Sequence, residues 1–309
     1  MVTFKKLIFG VPFLLTFAVF VYQLNPFFKD TNLIFSLSSE ILIQLLTLAL
    51  SLSLAGLFFT SFSTLAAEWI YVLPVAVLAS LSPLLLIFSP EAFILVGGFF
   101  LSLLITFFFL QKELKSYFSF NARKILKPAI NQMIFLNVLA SSLAFYFYAN
   151  TEISTNGFKL PDSIIDTAIQ ASGGDMLSQQ LNSGFEQNGL PANLSPEMIE
   201  LAKQNPSLLQ QYGIDPKMLD SLGNQDQKGI ASSEVIKPIV EQKVQDIIKP
   251  FQPFLPLILT LLFFFTVTTL TSLLSLPTIF LAWALFYILE KSGFVTFTTE
   301  MREVKKLVV

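Results

Sequence analysis

Residues 254–289 contain no charged side chain. Water tolerates such a run poorly, and in hydrocarbon every backbone N–H and C=O must be paired within the segment, so it has to be helical. A straight helix crosses a core of roughly 30 Å in about 20 residues. The run is therefore too long for one straight crossing and short for two full ones. "SLPT" at residues 275–278 lies near its middle, and Pro277 suits the opening turn of a second arm. The sequence predicts a membrane hairpin over residues 251–290.

Five further apolar runs precede it, at about residues 7–22, 41–62, 69–88, 92–110 and 129–149. They concentrate the 53% hydrophobic content and the 34 phenylalanines, both above soluble averages. The first run follows Lys5 and Lys6 and lacks a small-residue cleavage site, so it reads as an uncleaved span. In "FSPEAF" Ser89 suits a cap, Pro90 the first helical position and Glu91 the positive end of the helix dipole. The predicted fold class is an all-α, polytopic α-helical integral membrane protein. It has about seven membrane helices and a small helical extracytoplasmic domain between spans five and six.

Residues 1–149 form the membrane domain, interrupted by a basic stretch at 111–128 with Lys112, Lys115, Arg123, Lys124 and Lys127 against Glu113. Interleaved Leu114, Tyr117, Phe118, Ile125 and Leu126 predict an amphipathic helix in the headgroup region. Short basic loops stay in the cytoplasm, which places the N-terminus there as well and residues 150–250 outside, in a multi-pass plasma-membrane protein. Seven spans then put the basic tail 291–309 outside, against the same rule. One crossing in place of the hairpin would remove that conflict.

Residues 150–250 hold 13 of the 21 acidic residues and 7 of the 19 basic ones. An acidic, aromatic-poor segment argues against nucleic acid as a partner, because phosphate backbones call for clustered lysine and arginine. Residues 150–231 read as a helical ectodomain. In it "NLSPEMIEL" and "GIDPKMLDSL" share a cap, a proline, a methionine and aliphatic positions in the same order, which the favourable chemistry of a helix start explains without a duplication. Residues 232–250 form an amphipathic stalk, with Val235, Ile236, Ile239, Val240, Val244, Ile247 and Ile248 on one face. That face requires a cover: the remaining ectodomain helices, a second copy or the membrane surface.

The chain contains neither cysteine nor histidine. Thiolate chemistry, cysteine zinc sites, Ser-His-Asp arrangements and HExxH metal sites are excluded. Neither a catalytic set nor a metal or cofactor site is expected. Polar groups within the apolar runs are few. Glu68, beside Trp69 and near Pro74, is the best candidate among the few ionisable residues close to the spans, and its most economical role is as a boundary residue at a helix start. Gln44 in span two and Asn131, Gln132 and Asn137 in span five would serve either as transport contacts or as hydrogen-bonding ties between helices. The favoured functional expectation is a non-enzymatic membrane protein that presents its ectodomain to a partner or to itself, with the lipid bilayer as its environment. The alternative is a transporter or channel subunit using Glu68 and the amides of spans two and five.

Overall fold

A computed structural model describes residues 6–35, 38–87, 89–116, 121–158 and 249–295. The chain divides into two compact units, residues 1–156 with 255–309, and residues 157–254. In the second unit the described structure is a short 3-10 helix, Lys249–Phe254. The expected ectodomain helices, and the stalk face from Val235 to Ile248, lie outside the described residues.

The first unit is all helical. Its long helices are α1 (Gly10–Leu24), α2 (Ser39–Ala66), α3 (Trp69–Leu86), α4 (Ala92–Ser116), α5 (Ala122–Asn156) and α6 (Leu255–Lys291). Among the described residues six segments, one built on each of these helices, are long and apolar enough to cross a membrane. Two short 3-10 turns, Asn25–Phe28 and Thr31–Phe35, join α1 to α2. Many hydroxyls within the apolar helices are satisfied locally: Ser53 donates to the Ala49 carbonyl, Thr60 to Gly56 and Thr64 to Thr60, while those of Ser61, Ser63, Ser142 and Thr268 are buried without a partner among the described residues. Back-bonding of this kind lets serine and threonine sit in oil without an outside partner.

The helices run up and down. Phe13 of α1 meets Phe59 of α2 at 5.0 Å between ring centroids, and Gly10 lies beside Phe62. Trp69 at the start of α3 packs 4.4 Å from Phe107 near the end of α4. On the last pair, Phe145 of α5 stacks on Phe263 of α6 at 5.3 Å, while Arg123 lies over the Trp283 ring at 5.2 Å. Helix α2 is central, touching all five others. Phe13, Phe17, Phe20, Phe59, Phe99, Phe145 and Phe263 are fully buried or nearly so, and fill the interior.

One end of the bundle gathers the start of α1, the α2–α3 turn, the end of α4, the start of α5 and the end of α6. Lys6 pairs with Glu68 there, and Gln111 donates to the Ser63 carbonyl. Among the described residues this end carries Lys6, Lys112, Lys115, Arg123, Lys124, Lys127 and Lys291 against Glu68, Glu113 and Glu290. The opposite end of this unit carries Lys29 against Asp30, Glu40, Glu91 and Glu152. The bundle is electrically polar along its axis.

Three expectations are corrected. The hairpin over residues 251–290 is a single helix, Leu255–Lys291, so among the described residues the membrane-length helices number six rather than seven. Its buried seam runs Leu255, Leu259, Phe263, Val267, Thr271 and continues past Pro277 through Thr278, Ala282 and Phe286. A turn at "SLPT" would leave backbone groups unpaired at mid-depth. A proline inside a helix frees one carbonyl, a smaller loss that neighbouring hydroxyls can offset. At 37 residues, α6 is about 55 Å long, well beyond the hydrocarbon thickness.

The basic stretch at 111–128 is not a separate interfacial helix. Its first part extends α4 to Ser116 and its last part opens α5 at Ala122, each gaining intrahelical hydrogen bonds by continuing the span. Nor does Ser89 cap α4. The Ser89 carbonyl accepts from Ala92, the helix starts at Ala92, and among the described residues the Ser89 hydroxyl has no partner.

Candidate functional site

Glu68 occupies a two-residue link. Helix α2 ends at Ala66, Ala67 adopts a left-handed conformation with φ 57°, and Glu68 is extended before Trp69 opens α3. Its carboxylate is 57% exposed and accepts from the Lys6 ammonium at 2.5 Å, while Lys6 also lies 4.8 Å from the Tyr71 ring. The hydrogen bond to Glu68 raises the Lys6 pKa above its ordinary value of 10.5. Glu68 thus sits at the basic end of the bundle.

The amides do not converge on it. Asn137 is fully buried between α4 and α5, and its side-chain amide donates to the Ser102 hydroxyl at 2.9 Å and to the Met133 carbonyl at 2.8 Å. A Cβ on Gly98 would stand 2.6 Å from the Ala140 Cβ, closer than real Cβ atoms come. Gly98, Ser102 and Thr106 recur every four residues along α4 and form the small-residue stripe that permits this approach. Gln44 is half-buried on α2. Gln132 is half-buried on α5, with a buried carbonyl oxygen that lacks a partner among the described residues.

Asn131 is exposed and belongs to a different feature. Between α5 and α6 a partly open groove of about 180 Å³ is lined by Asn131, Ile134, Phe135 and Val138 on one side and by Thr268, Thr271, Ser272 and Ser275 on the other. Thr271 donates to the Val267 carbonyl, Thr268 has a buried hydroxyl without a partner among the described residues, and Ser272 is exposed. Sequence reasoning missed the α6 side of this groove. Its signal was present: 268, 271, 272 and 275 have the spacing of one helical face.

Comparison with protein-family models, with curated proteins and with solved structures gives no match. No ionisable side chain is among the residues lining the groove, and among the described residues no three acidic side chains gather as a metal site. What the groove offers is hydrogen bonding, from an amide and four hydroxyls, beside an apolar wall.

Proposed function

We propose that this multi-pass membrane protein is a non-enzymatic interaction protein, whose six-helix bundle anchors residues 150–250 for binding to a protein partner or to a second copy. The observation that carries this reading is the interior of the bundle. Phenylalanines fill it, and its fully buried amide, Asn137, is engaged with Ser102. Such an interior suits a fixed support. Transport calls for a polar path through which Glu68 and the amides would act together, and Glu68 is instead paired with Lys6 at one end of the bundle.

The support is well placed for the task. Helices α5 and α6, which flank the intervening segment in sequence, pack directly on one another, so both of its ends are tethered side by side. Cation-rich ends face the cytoplasm. The charge asymmetry of the bundle therefore supports a cytoplasmic N-terminus and an extracytoplasmic location for residues 150–250. Six crossings also return the basic tail to the cytoplasmic side.

The reading is tested on the stalk face, with differently tagged copies and membrane extracts. Ile239→Asp with Ile247→Asp should abolish self-association or partner co-purification while leaving insertion intact. Undiminished co-purification would overturn the proposed role of that face.

A further inference from the structure

We propose that the groove between α5 and α6 binds an anionic phospholipid, with its headgroup at Lys124 and Lys127 and one acyl chain along Ile134, Phe135 and Val138. The site is separate from the proposed partner face and stands whether or not residues 150–250 bind protein.

Positions 124, 127, 131, 135 and 138 follow one another by three or four along α5, which continues as a helix through Pro128, so the two lysines, Asn131 and the apolar wall share one face of α5. Both lysines are exposed, and among the described residues neither has an acidic partner. Charge complementarity at this mouth favours an anion. Neighbouring Arg123 is already engaged with the Trp283 ring, and an aromatic ring of this kind marks the membrane–water boundary.

Depth then selects a lipid over a small anion. From Lys127 to Val138 is eleven residues, about 16 Å along the helix, and half of a bilayer's roughly 30 Å core is one leaflet. Asn131 lies one turn below Lys127, roughly 6 Å deeper, where the ester carbonyls of a phospholipid lie beneath its phosphate. Ser272 and Ser275 offer hydroxyls from the facing helix. Exposed to hydrocarbon alone, the amide of Asn131 would be costly. An ester group satisfies it, and a chain fills the apolar part of the groove.

The test uses the full chain in detergent, with lipid adducts counted by native mass spectrometry. Phosphatidylglycerol and phosphatidylcholine of identical chains are added in turn, and inorganic phosphate serves as competitor. The glycerol lipid should be retained at least about tenfold better, since each lysine near a lipid surface contributes about a factor of five. Lys124→Gln with Lys127→Gln should bring its retention down to the choline level. Ser272→Phe, at an exposed position, should reduce retention of both lipids by filling the groove, and Asn131→Leu provides a second groove variant. Lys112→Gln with Lys115→Gln, at the same end but on α4, should change nothing.

Equal retention of the two lipids would overturn the proposal. So would equal losses in the α4 control, which would indicate diffuse surface charge. Displacement by inorganic phosphate would leave only an anion site. A lipid-free dimer that closes the groove would identify a second copy as its occupant instead.

Discussion

Asn137 of α5 donates to Ser102 of α4 at 2.9 Å, one turn from the point where Gly98 lies against Ala140. The two contacts work together. Small side chains bring the helices close enough for the amide to reach, and the amide then fixes their register. Hydrogen bonds between membrane helices are individually modest, averaging about 0.6 kcal/mol, because the separated helices also find partners. Asn137→Ala should therefore cost about 1 kcal/mol in a detergent unfolding titration, and Ser102→Ala, removing the other half of the same bond, should not add fully to it.

Steric complementarity at Gly98 predicts a larger effect. Gly98→Ala places a methyl 2.6 Å from the Ala140 methyl, so the helices must part or shift. Overpacking of this kind costs about 1–3 kcal/mol. Combining it with Ala140→Gly should restore most of the loss. Additive losses in that double variant would contradict the close approach.

The Lys6–Glu68 pair should matter little. It is solvent-exposed, and exposed ion pairs contribute little to stability. Because pairing raises the Lys6 pKa, its contribution is complete below 10.5 and fades only as pH rises through the raised value. Lys6→Gln should leave thermal stability unchanged, and the pair should add no pH dependence of its own between about pH 6 and 9. A marked loss of stability in Lys6→Gln or Glu68→Gln would contradict this account of the pair.

Topology can be read from a chain that has no native cysteine to remove. Single cysteines at Ser116 and Ser292 should react with an impermeant thiol reagent from the same side of sealed vesicles, and one at Asn156 from the opposite side. Opposite-side labelling at 116 and 292 would restore a hairpin within residues 251–290.

Much of the bundle was legible because membrane helices declare themselves locally. The runs at 41–62, 69–88 and 92–110 reappear in α2, α3 and α4; α2 and α4 extend beyond their runs by a turn or more where polar residues still find intrahelical bonds, and α3 stops two residues short, at Leu86. Pro277 misled because proline usually ends helices in water, whereas in a lipid-embedded segment breaking the ladder costs more than bending it. The groove was illegible for another reason. Thr268, Thr271, Ser272 and Ser275 look neutral within an apolar run, and their apposition to Asn131 depends on contacts more than a hundred residues apart in sequence. Glu68 and Lys6, 62 residues apart, pose the same difficulty.

Co-purification tests the central claim most directly, comparing the whole chain with one lacking residues 161–230, in mild detergent and with a differently tagged second copy present. The account predicts a partner or self-oligomer that is captured by the full chain and lost on deletion, with the shortened bundle still inserted and monodisperse. If nothing is captured by either form, or the same species by both, residues 161–230 are not the binding element and the interaction reading fails.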